Sequence, residues 1–221
     1  MSHLVFAYGS LIATPEYSGR VEARFFSELV GYRREFNKRS PGRGCPRAQA
    51  YAAFDDVPPQ YLTNDWAFSL AVGTLPSDNE CIRGVTLQYP SLDWASVVHA
   101  MDIREGYDPN QEQATLGYLR SSVTVRIDKK DTEAITYLSN AGGRYDLPSS
   151  TSLEVRAKIL INGTPRPGTP LGRDPKVRGI GYLEQLRAEL RKYDCIDPLL
   201  EQQAAAVLRL DGPWVDQIAP P

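Results

Sequence analysis

Short apolar runs separated by Gly, Pro and Asp fill the first half of the chain, and their spacing predicts strands. Leu4 to Ala7 is a brief apolar run that stops at Tyr8-Gly9-Ser10, the pattern of a buried strand ending in a turn, with Gly9 supplying freedom in φ. Segments 28–37, 48–54, 68–75 and 82–89 are each rich in β-formers and bounded by turn residues. In the last of these, Val85, Leu87 and Tyr89 alternate with Gly84, Thr86 and Gln88. Val123, Val125 and Ile127 repeat that alternation over 122–127, and 134–138 predicts a further short strand.

A helical period replaces the alternation over 92–105, where Trp94, Val97, Val98 and Met101 share a face. Ser91 is its expected N-cap and Gly106 its stop. The last third is mostly helical. Thr151 and Glu154 make a capping box ahead of 152–161, Ile180, Leu183, Leu186 and Leu190 line one face of 180–193, and Asp197-Pro198 opens another helix. Between them, 162–178 is rich in Pro and Gly and reads as a loop or lid. Strands followed by helices predict one α+β domain over 1–210, with 211–221 an irregular tail in which Trp214 is partly buried.

Composition narrows the classes. The 221 residues are 42% hydrophobic and 24% charged, so the chain can bury a core without disulfides or metals. The 25 basic and 27 acidic residues leave a net charge of −2, which argues against wholesale nucleic-acid binding. Cys45, Cys81 and Cys195 are an odd set without CxxC spacing, the usage of a reducing compartment. With His3 and His99 the only histidines, no metal-ligand motif is present. The first residues lack the flanks of a signal peptide, and no run matches the roughly 20 apolar residues of a membrane span. The expectation is a soluble cytoplasmic protein, monomeric or homodimeric, that touches neither membrane nor nucleic acid.

Five features carry candidate chemistry. Tyr8-Gly9-Ser10-Leu11 would form an anion site if its N–H groups converge, and a plain turn if they do not. Glu105 falls in the last turn of the predicted helix, where the dipole disfavours a carboxylate. Partial burial there would raise its pKa towards that of a general base, and a solvated ion pair with a nearby Arg is the alternative. Arg33, Arg34, Lys38, Arg39, Arg43 and Arg47, opposed only by Glu35, form a basic tract that would receive anions or serve as a solvated face. Tyr118 and Arg120 precede the strand at 122, where a tyrosine either donates a hydrogen bond or packs. Cys45 has only His3 and His99 as partners for a Cys–His nucleophile, and no GxSxG elbow exists for a serine triad.

Taken in order, these segments resemble the γ-glutamylcyclotransferase-like superfamily, which includes the ChaC-type branch. The resemblance runs through Phe6-Ala7-Tyr8-Gly9-Ser10-Leu11, Gly31-Tyr32-Arg33-Arg34-Glu35-Phe36-Asn37 and Arg43-Gly44-Cys45-Pro46. It continues through Met101-Asp102-Ile103-Arg104-Glu105-Gly106-Tyr107, then Tyr118, Val123-Thr124-Val125, Ala134-Ile135-Thr136-Tyr137-Leu138 and the helix at 180–193. The compact Glu105-Gly106-Tyr107 spacing is similar to the general cyclotransferase branch.

That resemblance implies a small mixed β-barrel flanked by helices, with a pocket at the Tyr8–Leu11 turn. It implies an enzyme that cleaves γ-glutamyl amides or peptides, glutathione among them, to 5-oxoproline and a free amine, without metal or cofactor. Glu105 would be the general acid/base, the backbone of Tyr8, Gly9, Ser10 and Leu11 would hold the α-carboxylate, and Arg43 and Tyr118 would line the substrate site. Two other readings stay open: a non-catalytic member of the fold that binds a metabolite or protein, and a nucleic-acid-associated protein using Arg33–Arg47.

Overall fold

A computed structural model describes residues 2–46, 66–161, 164–165 and 179–211, of which 41–46, 66–68, 161, 164–165, 179 and 211 are described by backbone alone. The chain divides into two compact units. The first comprises Met1–Glu35, Val72–Asp146 and Glu189–Cys195, and the second Phe36–Ala71, Leu147–Ala188 and Ile196–Pro221.

The first unit is built on strands β1 (Ser2–Ala7), β2 (Ala23–Pro46), β3 (Trp66–Pro90), β4 (Tyr118–Ile127) and β5 (Lys130–Ser139), with β2 and β3 continuing into the second unit. β1 runs antiparallel to β3, from Ser2↔Pro90 to Ala7↔Val85, and parallel to β5 at Val5↔Ile135. β5 and β4 form an antiparallel hairpin in register from Tyr118↔Ser139 to Ile127↔Lys130, and β4 pairs with β2 at Leu29↔Val125. The strand order is β3-β1-β5-β4-β2, and β3 and β2 also pair. Each of the five therefore has a neighbour on both sides, the pairing pattern of a mixed barrel.

The expected burial patterns are present. Val5, Phe6 and Ala7 are consecutive and all buried, as in a strand covered on both faces. In β4, Ser122, Thr124 and Arg126 face water while Val125 is fully buried. The hairpin turns through Asp128 (φ 48°) and Lys129 (φ 67°), a two-residue loop with both central φ values positive, whose hand matches the strand twist. Lys129 gives no sequence signal for that turn.

The segments 68–75 and 82–89, expected as two strands, lie in the single strand β3. Its middle, from Pro76 to Cys81, is almost wholly exposed, so Pro76 need not sacrifice a buried ladder bond and the strand continues through it. Helix α1 (Trp94–Glu105) buries Val97 and Met101, whereas Trp94 is half-buried and stacks on His3 with centroids 4.4 Å apart. Ser91 is not its N-cap; the helix starts after Asp93, with the Ser91 carbonyl accepting the Trp94 N–H at 3.3 Å in the preceding turn.

In the second unit, β6 (Thr164–Pro165) pairs with β2 at Gly44↔Thr164, and α2 (Leu153–Ile161) packs on α4 (Pro198–Asp211). Ser152 caps α2, its hydroxyl accepting the Val155 N–H at 3.2 Å, rather than Thr151, which lies a residue too early. The Asp197 carboxylate takes the N–H groups of Leu199 and Leu200 at 3.0 and 3.2 Å, so α4 starts as its Asp-Pro sequence predicts. Helix α3 (Gly179–Arg191) buries Leu183, Leu186 and Leu190, while Ile180 is only half-buried. Phe36 meets Tyr182 edge-on, and Arg187 bridges Glu184 and Glu201. The expected strand at 48–54, most of the 162–178 loop and the tail with Trp214 lie outside the described residues.

Candidate functional site

The chain leaves β1 at Ala7 and turns at once. Gly84 on the neighbouring strand makes this path possible, because a Cβ there would sit 2.4 Å from the Ala7 carbonyl oxygen and 2.8 Å from the Phe6 ring. The turn then closes through Ile12 N–H to the Gly9 carbonyl and Thr14 N–H to the Ser10 carbonyl, both at 3.0 Å. Gly9 does not adopt a positive φ in this turn; Gly31, Gly106 and Gly142 are the glycines that do among the described residues.

The carbonyls of this segment are claimed by arginines. Arg34, buried to 3% exposure, donates from Nε to the Tyr8 oxygen at 3.2 Å and from Nη2 to the Arg83 oxygen at 2.6 Å. Arg24 donates to the Ile12 oxygen at 3.0 Å, and Arg104 to the Thr14 oxygen at 2.6 Å. Among the described residues, none accepts a hydrogen bond from the N–H of Gly9, Ser10 or Leu11. The N–H groups that a backbone anion site would use are thus not taken up by other described residues.

Helix α1 ends in a Schellman motif. Gly106, at φ 68°, donates to the Ile103 oxygen at 3.4 Å, and Tyr107 donates to the Asp102 oxygen at 2.9 Å. Glu105 is thereby held as the last helical residue, its side chain only 14% exposed and 3.6 Å from Arg104 Nε. The solvated ion pair weighed from sequence is thus half right: Glu105 has its arginine but not the solvent.

Arg104 also reaches the turn. Its Nη2 donates to Ser10 Oγ and Thr14 Oγ1, both at 3.0 Å, and its Nη1 donates to Glu16 Oε1 at 2.9 Å. A single guanidinium therefore touches the Tyr8–Leu11 turn and the Glu105 carboxylate.

A second network anchors the same helix end. Asp102, one turn before Glu105, accepts the Tyr137 hydroxyl at Oδ1 (2.8 Å) and Arg120 at Oδ2 (2.6 Å), and Arg120 lies over the Tyr107 ring at 5.1 Å. The Tyr8 hydroxyl donates to the Tyr137 carbonyl at 2.5 Å. Burial, with Asp102 beside it, pushes the Tyr137 phenol well above its ordinary pKa, so Tyr137 remains a proton donor at any working pH.

The structure thus brings together Tyr8, Gly9, Ser10, Leu11 and Glu105. Tyr118 is nearly buried and donates to the Val72 carbonyl at 2.7 Å, the packing role of a strand tyrosine. Arg43 lies opposite Pro165 in the β2–β6 ladder, its side chain outside the described residues, as are the side chain of Cys45 and all of Arg47. The basic tract is not a continuous solvated face: Arg34 and Arg39 are buried, and Arg33, half-exposed, pairs with Glu35. Strand alternation sends 34 inward and 33 outward, which a count of charges cannot show.

Sequence reasoning did not single out Asp102, Arg104 or Tyr137 as site residues. Their signal is spacing within the helix end, since Asp102 and Glu105 are one turn apart, but the partners come from β4, β5 and the 8–16 segment. Among the described residues no three His, Cys, Asp or Glu side chains are placed to hold a metal ion, and no helix is long and apolar enough to cross a membrane.

Solved structures place this architecture among known folds. A yeast γ-glutamyl cyclotransferase specific to glutathione, in selenomethionine-labelled form, matches with a TM-score of 0.67 at 14% identity, covering 94% of this chain and 96% of that one. A second structure under the same description gives a TM-score of 0.66 at 14% identity, with coverage of 95% and 99%. This chain has the γ-glutamylcyclotransferase-like fold. No family model matches the chain, and no curated protein matches its sequence. Within this fold, the turn after β1 and the end of α1 carry the residues described above.

Proposed function

We propose that the protein is a γ-glutamyl cyclotransferase, converting a γ-glutamyl amide into 5-oxoproline and a free amine. The observation that supports this reading is the Arg104 guanidinium in contact with both Ser10 and Glu105, which sets the Tyr8–Leu11 turn beside a shielded carboxylate.

The chemistry needs those two parts. The substrate's α-carboxylate would sit on the N–H groups of Gly9, Ser10 and Leu11. Glu105 would take a proton from the α-ammonium, and the freed amine would attack the γ-carbonyl carbon. A ring C–N bond forms, the bond to the leaving amine breaks, Glu105 passes its proton to the departing nitrogen, and the ring nitrogen sheds its second proton, so that the amine leaves as an ammonium carrying both. Because nucleophile and electrophile share one molecule, folding the substrate supplies much of the acceleration, and holding both ends of the glutamyl unit is the enzyme's main task. Such a reaction consumes neither oxidant nor water.

Glutathione is a first substrate to try, because the yeast protein of similar fold is described as specific to it. The test measures 5-oxoproline released by purified protein from glutathione, γ-glutamyl-alanine and a γ-glutamyl amine, beside Glu105→Gln. Turnover lost in the folded variant supports the mechanism. Equal turnover by the variant removes Glu105 from it, and no turnover on any substrate favours a binding-only role.

A further inference from the structure

We propose that Arg104 is a positioning residue that sets the distance between the anion-holding turn and the carboxylate of Glu105, an inference that rests on the reading of Glu105 as base. The geometry that points to it is the distribution of its hydrogen bonds. Arg104 belongs to the last turn of α1, yet its terminal nitrogens are spent on the segment after β1: Ser10 Oγ, Thr14 O, Thr14 Oγ1 and Glu16 Oε1. Only its Nε faces its own helix, 3.6 Å from Glu105.

The segment needs this fixing. Residues 8–17 contain no helix or strand, and the turn is closed by the Ile12 and Thr14 amide bonds. Arg34 holds its start at Tyr8 and Arg24 its middle at Ile12, so Arg104 is the clamp at its far end. It is also the one of the three that belongs to the helix bearing Glu105. A planar fork can satisfy several oxygens at once in fixed directions, which a single ammonium cannot do.

Loss of the clamp should fall on the chemical step more than on binding. The turn could still hold a carboxylate and Glu105 could still accept a proton, but not in register, and a misplacement near 1 Å costs about a hundredfold. The experiment compares Arg104→Met and Arg104→Lys with the wild type on the substrate that the panel above identifies. Expected is a kcat lower by about tenfold to a hundredfold with KM within about threefold, the split that marks an interaction used in the transition state. Lys is expected not to rescue. Amide hydrogen exchange supplies a readout independent of turnover. Ile12 and Thr14 should exchange about tenfold faster or more in Arg104→Met, while β4 and β5 keep their protection. Arg126→Gln, which removes a surface arginine paired with Asp131, should alter neither.

Unchanged kcat per folded molecule, a change in KM alone, or full rescue by Lys would overturn the proposal while leaving the cyclotransferase reading in place. If the wild type releases no 5-oxoproline, that reading falls, and the exchange data decide Arg104 by themselves: faster exchange retains the clamp and unchanged exchange removes it. Should both Arg104 variants fail to fold, Thr14→Val and Glu16→Gln take acceptors from the other side of the clamp. They should lower kcat in the same direction by about threefold, and no change in either would overturn the proposal.

Discussion

Tyr137 donates its hydroxyl to Asp102 across 2.8 Å, and this one bond joins β5 to the helix turn that carries Glu105. Asp102 holds Arg120 on its other oxygen, so the carboxylate is shared by β5 and β4 and the helix end is fixed against both strands. A helix C-terminus is electrostatically the wrong place for Asp102 and Glu105. Two arginines and a phenol offset that penalty.

Tyr137→Phe should therefore cost about 2 kcal/mol, the worth of a hydrogen bond to a charged acceptor. Urea denaturation of the variant measures it directly. In a double-mutant cycle with Asp102→Ala the two losses should be less than additive, since both remove the same bond. Full additivity would show that the bond contributes nothing.

Tyr118→Phe separates packing from substrate contact. Its hydroxyl is engaged with the Val72 carbonyl, so the substitution should cost about 1 kcal/mol of stability and leave kcat/KM within about threefold. A tenfold loss of kcat/KM with unchanged stability would return Tyr118 to the substrate site.

Gly84→Ala tests the route of the chain into the turn. The added methyl would meet backbone, the Ala7 carbonyl at 2.4 Å, and no rotamer can relieve that contact. A loss of about 1–3 kcal/mol is expected, with the largest amide shift changes at Ala7 and Tyr8. A neutral substitution would mean that β1 and β3 separate easily at this point.

Alkaline pH should destabilise the fold. Burial is the main cause that pushes the Tyr89 phenol up, from 10.0 to about 12, with Glu16 adding to it. Above pH 10 the unfolded chain gives up this proton while the folded one keeps it. Stability is therefore whole below pH 10 and falls as pH rises towards 12, by an amount on the order of 2 kcal/mol. Tyr89→Phe should flatten that decline in denaturation curves taken between those limits. An unchanged slope would assign the loss to other groups.

Local chemistry made much of the fold legible. The Asp197-Pro198 start of α4, the Gly106 stop of α1 and the alternation of Val123 and Val125 each depend on neighbours a few residues away, so the sequence alone announces them. The break expected between 75 and 82 failed for the same reason in reverse. Pro76 is a breaker only where its missing N–H would be needed, and exposure is a tertiary property.

Within the site, residue types at short spacing marked the Tyr8–Leu11 turn and Glu105 as candidates, and it was the family resemblance that assigned them roles. Nothing in the sequence indicates that Arg34 would turn inward to the Tyr8 carbonyl, 26 positions away, or that Arg104 would reach Ser10 across 94. An arginine's reach exceeds any local periodicity, and its partners are chosen by whichever oxygens folding leaves unsatisfied near it. The sequence by itself determined which local elements form and offered Glu105 and the Tyr8–Leu11 turn as candidates, because these depend on near neighbours. Strand register and the end of one helix decided which of them meet.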